Sequence, residues 1–225
     1  MQYRMAWPPL TRNIKLTLGA LFVLWIGTVQ FTEFVFNYML VSRDAVFERG
    51  QVWTLLSYAI VHRDFPHLLF NGLVLWMFGG EVDRRWGDKW FWGFCALCAL
   101  GGGVAVVLAQ LIFAASVPTI GYSGAIMGLA AAYSWYHWDR PLRLFGVIKI
   151  TGKWLLVIFV AIDFLMVVGA RQPISVAAHL GGMLTGLALV TGYWRPTKLK
   201  RAIKRWRARR DSSKHIRPPD GKRWN

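Results

Sequence analysis

Apolar residues along this chain gather into blocks long enough to cross a bilayer, separated by short polar connections. A spanning helix needs ~20 mostly apolar residues, because lipid offers its backbone no hydrogen-bond partner. The pattern predicts six spans, at about residues 16–40, 67–80, 90–115, 120–138, 154–170 and 174–194. The first contains Glu33 and frays into the following loop. The second has a short apolar core and crosses by its polar ends. The connection 32–66 is the longest, and its mixture of charge with Phe34, Phe36, Tyr38, Phe47 and Trp53 predicts a structured element resting in the interface. There is no internal repeat. The division that follows is a cytoplasmic segment 1–15, a membrane domain 16–194 and a basic cytoplasmic tail 195–225. The first apolar block has no small-residue cleavage site after it, so it reads as a retained span.

Composition agrees: of 225 residues, 55% are apolar and 15% aromatic, the balance of a polytopic, all-α membrane protein. The net charge of +16 would suggest nucleic acid in a soluble chain. Here the segment 195–225 alone holds 13 basic and two acidic residues, the mark of a cytoplasmic end attracted to anionic lipid headgroups, and nucleic acid is not expected as a partner. With the N-terminus inside, 23 of the 27 basic residues fall on the inner side, leaving Arg43, Arg49, Arg63 and Arg171 outside. Trp90, Trp92, Trp135, Trp138, Trp154 and Trp194 then lie near the inner interface, where indole rings prefer to sit. Both termini are therefore expected to be cytoplasmic. Cys95 and Cys98 form a C-x-x-C inside an apolar helix and read as packing residues.

Polar side chains inside spans are costly, so their depth is informative. Spans two, four and six all run inward from the outer face. His67 and Asn71 open span two, Ser123 opens span four, and His179 lies ~1.5 turns into span six. Each has a plain alternative: Ser123 as a helix N-cap, the histidines as hydrogen-bonded interior residues, Asn71 as a bond between helices. Their coincidence at one depth points to chemistry. Gly124 and Gly128 form a G-x-x-x-G step on span four, and Gly182 and Gly186 another on span six beside Gly181. Faces without side chains allow close approach and would bring Ser123 and His179 within reach. The histidines form no H-E-x-x-H, and neither a metal nor a cofactor is called for.

Gly121-Tyr122-Ser123-Gly124 resembles the G-x-S-G motif of rhomboid proteases. Ala178-His179 followed by Gly182 and Gly186 is similar to the family's A-H-x-x-G-x-x-x-G segment, and His62, His67 and Asn71 stand as its H-x-x-x-x-H-x-x-x-N. The resemblance covers roughly residues 50–192. Two departures are a Trp53-Thr54 pair where many members carry Trp-Arg, and Met127 where some place an aromatic residue.

The resemblance implies a six-helix intramembrane serine endopeptidase. Ser123 would be the nucleophile and His179 the base, a dyad without a carboxylate, and the sequence offers no acid level with it on the adjoining spans. His67, Asn71 and the Ser123 N–H would hold the oxyanion, Gly121 and Gly124 would allow close approach, and His62 would hold water or the outer loop. Asp163 reads as a packing or gate residue, with orientation of a catalytic group as the lesser alternative. The implied substrates are transmembrane segments of membrane proteins, entering between spans two and five and cut near the outer face. The expected location is a bacterial inner (plasma) membrane. The alternative function is a catalytically silent rhomboid-like protein that binds membrane clients. No feature of the sequence fixes an oligomeric state.

Overall fold

The computed structural model describes residues 8–144, 148–170 and 173–192, with side-chain surroundings described outside 142–148 and 166–175. Residues 1–190 form one compact unit, and 191–225 cluster separately. The expected basic tail, with Trp194, and residues 1–7, with Arg4, lie outside the described residues.

Among the described residues the fold is all-helical apart from one hairpin. Its elements are α1 (Arg12–Gln30), α2 (Thr32–Tyr38), α3 (Arg43–Phe47), α4 (Thr54–Ser57), a single 3-10 turn (Tyr58–Ile60), α5 (Phe65–Trp86), α6 (Asp88–Ile112), α7 (Ser123–Tyr136), β1 (Pro141–Leu144), β2 (Ile148–Thr151), α8 (Gly152–Ala170) and α9 (Pro173–Thr191). By length and composition, α1 and α6 are able to cross a membrane, with mean hydropathy 1.3 and 2.2. Large apolar side chains stand exposed along α1 (Phe22, Val23, Ile26), α6 (Leu97, Leu108, Leu111) and α8 (Val157, Val160, Phe164). Such surfaces suit lipid, not water.

The first predicted span is two helices. The chain breaks at Phe31, whose φ of −117° and ψ of 45° leave the helical region, and α2 continues into the connection before α5. That connection is structured, as its composition predicts. Trp53 Nε1 donates to the Tyr38 carbonyl at 2.7 Å, Ser57 Oγ to Met39 at 2.9 Å and Gln51 Nε2 to Asn37 at 3.1 Å. Thr54, standing where an arginine was looked for, is fully buried and bonds back to the Gln51 carbonyl at 2.6 Å. An unforeseen strand pairing occupies the connection after α7: β1 and β2 run antiparallel, Pro141 opposite Thr151.

Local chemistry explains the helix ends that matter. Asp64 caps α5, its Oδ1 accepting from the His67 N–H at 2.8 Å, and Pro66 follows in the first turn, where a missing N–H costs nothing. Gly87, at φ +76°, is the whole link between α5 and α6. At the same end Asn13 Nδ2 donates to Asp83 at 2.8 Å and Asp88 at 2.9 Å, tying α1 to both.

The centre of the bundle is a seam of glycines. A Cβ on Gly186 would lie 2.6 Å from the Gly128 carbonyl oxygen, one on Gly182 would collide with that of Gly124, and one on Gly124 would lie 3.3 Å from the Ala178 oxygen. The predicted meeting of the two G-x-x-x-G faces is therefore present between α7 and α9. The seam has a third side: Gly102 of α6 would meet Ala178 O at 2.9 Å, and Gly101 would collide with Thr185. Cys95 and Cys98 are free and buried, and Cys98 packs directly on Gly128 of the seam.

Overpacking at a backbone contact of this kind costs on the order of 1–3 kcal/mol. Gly182→Ala should lower the thermal midpoint in detergent, whereas Gly19→Ala, on α1 with nothing within 4 Å of the added carbon, should leave it nearly unchanged. Thermal unfolding of the two variants side by side checks this; equal midpoints would contradict the seam.

Candidate functional site

Ser123 is the first residue of α7. The N-cap is Tyr122, and no side chain caps the helix, so Ser123 does not serve as the cap that a serine near a helix start most often provides. Its side chain is half-buried. Its backbone N–H belongs to the first helical turn, where amides lack partners within the helix and favour negative charge.

Gly121 sets the approach to this turn. Its φ of +121° is strained for any residue with a side chain, and its N–H donates to the Tyr58 carbonyl at 3.0 Å. A Cβ there would fall 2.9 Å from His67 Cε1 and Nε2 and 3.7 Å from Ser123 Oγ. The His67 imidazole and the Ser123 hydroxyl thus flank the space that Gly121 leaves empty. Tyr58 fixes the other side of the turn: its hydroxyl donates to the Ala99 carbonyl of α6 at 2.8 Å.

Asn71 lies one turn after His67 on α5 and is buried, its Nδ2 without a hydrogen-bond partner among the described residues. His62, in the loop before α5, is fully buried, with its ring centroid 5.1 Å from that of His67, and among the described residues no well-formed hydrogen bond reaches its nitrogens, the Ile60 backbone being its near polar neighbour. Burial first, and the neighbouring His67 second, push the His62 pKa down to about 4. Asp64, at the mouth of this loop, is held below the usual carboxylate range chiefly by the hydrogen bond from Arg63.

His179 enters from α9, held near α7 by the glycine seam. It is half-buried, and among the described residues no hydrogen bond joins it to Ser123 Oγ, a contact often loose without substrate. Its Nδ1 lies 2.7 Å from Asp163 Oδ1. This overturns the expectation that no acid lies level with His179 on the adjoining spans. The signal was present in the span pattern. The carboxylate stands seven residues before the end of α8 and the histidine six after the start of α9, so an antiparallel hairpin brings them level. The sites first expected from sequence, Ser123, His67, Gly121 and His62, are brought together directly. Gly124 lies below them in the seam.

A Rhomboid domain family model matches residues 49–196. RHOMBOID-like protein 12, mitochondrial, of Arabidopsis thaliana is 27% identical over 178 residues, 73% of this chain and 52% of that protein. Rhomboid protease GluP of Bacillus subtilis is 28% identical over 145 residues, 64% of this chain and 27% of that protein. Rhomboid protease GlpG of Serratia proteamaculans is 27% identical over 146 residues, 64% of this chain and 48% of that protein. The chain spans about half, or less, of the length of these relatives.

The buried His62 carries a consequence for stability. Its folded pKa of about 4 lies below the ordinary value near 6.5, so the unfolded chain takes up its proton first as pH falls. The favourable contribution is complete above pH ~6.5 and is lost toward pH ~4. The thermal midpoint in detergent should fall across that window, and His62→Gln should flatten the fall. An unchanged slope in a folded variant would contradict a neutral, buried His62.

Proposed function

The chain belongs to the rhomboid family of intramembrane proteases, and on that premise we propose that it is a serine endopeptidase cutting transmembrane segments of membrane proteins near the outer face. One observation carries the reading: Ser123 opens a helix uncapped by any side chain, with His67 across the gap at Gly121 and a neighbouring helix presenting His179.

In the proposed reaction His179 Nε2 takes the Ser123 proton as Oγ bonds to the substrate carbonyl carbon, and later gives it to the leaving amine. The carbonyl oxygen becomes an oxyanion facing the Ser123 N–H, His67 and Asn71. Donors already in place are worth most where water is excluded. The unpartnered Asn71 Nδ2 supports that assignment, and the unpartnered ring of His62 supports a role in holding water near the serine. Hydrolysis of the acyl-enzyme consumes that water.

The same reading has six spans, with both termini and the basic tail at the inner surface of a bacterial inner membrane, the tail resting on anionic lipid. The bias of basic residues supports this orientation. Substrate helices would enter between α5 and α8 and unwind locally, since their carbonyls are otherwise engaged.

Ser123→Ala, folded in detergent, should lose cleavage of a transmembrane substrate by on the order of 10³-fold or more, along with fluorophosphonate labelling. His179→Ala should lose both as well. Asn71→Ala should keep slow labelling and lower kcat by up to ~10²-fold with little change in KM. Normal cleavage by folded Ser123→Ala would overturn the assignment of Ser123 as nucleophile, whereas no cleavage by the unmodified protein would favour a silent client-binding member.

A further inference from the structure

Asp163 is 3% exposed on a helix whose neighbouring residues Ile162, Phe164 and Leu165 stand open to lipid. A carboxyl group in such surroundings is expensive unless it is engaged. Among the described residues its one polar contact is His179 Nδ1, at 2.7 Å from Oδ1, and Oδ2 has no partner. The pair is matched in depth by the α8–α9 hairpin, and both members are sheltered, with side-chain exposures of 4% and 24%. A packing role would be served as well by an apolar residue, at no desolvation cost. The surroundings of Asp163 thus direct its polarity at one atom of one histidine.

We propose that Asp163 is a positioning residue that holds His179 with its proton on Nδ1, leaving Nε2 bare toward Ser123. An imidazole has two neutral tautomers, and a serine base works only through the one whose facing nitrogen carries no proton. The Asp163 Oδ1 accepts from Nδ1–H and thereby selects that tautomer and the ring orientation. When Ser123 Oγ bonds to the carbonyl carbon and its proton passes to Nε2, the imidazolium formed rests against the carboxylate. The proton then moves from Nε2 to the amine nitrogen as the C–N bond breaks, and the pair returns to its starting state. The inference builds on the roles proposed above for Ser123 and His179, and gives this chain a third member where family resemblance implies two.

The test is nitrogen-15 NMR of the full chain in detergent at pH 8, with labelled histidine and His179→Gln used to assign the signal. In the unmodified protein His179 should carry its proton on Nδ1. In Asp163→Ala the Nε2–H tautomer should grow in. Asp163→Ala should also lower kcat by on the order of 10²- to 10⁴-fold, with KM altered by less than about threefold, the signature of an interaction used in the transition state. Asp163→Asn, nearly the same in shape, controls for folding: its neutral amide can donate to Nδ1 as well as accept from it and cannot stabilise the imidazolium, so kcat should still fall. A proton on Nε2 in the unmodified protein, or an unchanged kcat in both folded variants, would overturn the proposal. The tautomer is read without substrate. Its outcome therefore stays separate from that of Ser123→Ala, which tests the protease reading itself.

Discussion

The arrangement depends on one constraint: three helices must approach so closely that no side chain fits between their backbones. At Gly182 even a methyl group would collide with the carbonyl oxygen of Gly124, and Gly102 closes the third side against Ala178. In lipid there is little hydrophobic gain in bringing helices together, so dispersion between bare backbones carries much of the association. This close contact fixes α7 and α9 along their lengths. Ser123 at the head of one and His179 on the other inherit their separation from it.

Around that rigid centre the polar groups are satisfied unequally. At the end away from Ser123 several are engaged, with Asn13 bridging two carboxylates and His137 meeting Glu81 at 2.7 Å, while Ser134 Oγ and Thr151 Oγ1 have no partner among the described residues. Near Ser123 further groups are left open. His62 and Asn71 are buried with donors unspent, and the helix carrying Ser123 begins without a side-chain cap. A structural polar network would be expected to pair these groups, whereas a site that must receive a developing charge has to leave them open. Asp163 is half-spent, one oxygen on His179 and the other free.

The seam and much of the site were legible in the sequence because they rest on local residue identity. Glycines at four-residue spacing announce a close helix contact, and Gly121 announces a backbone that a side chain would strain. The third side of the seam was harder to see, since Gly101, Gly102 and Gly103 lie in an apolar run with no period of their own. The break at Phe31 was missed for a related reason: hydropathy continues across it, and only the backbone turns. Asp163 shows a different failure. Its residue type was noticed, but its partner depends on the pairing of two consecutive helices, which counting outward from the junction of the two spans would have supplied.

The central claim is that Ser123 and His179 share one reactive space, and a reagent that needs both residues tests it most directly. In a peptidyl chloromethyl ketone, the serine oxygen adds to the ketone while the histidine nitrogen displaces chloride, so alkylation is fast only when the two are held together. Mass spectrometry of the treated, folded protein should find the adduct on His179, greatly slowed in Ser123→Ala. An adduct on another histidine, or one on His179 formed equally fast without the serine hydroxyl, would contradict it.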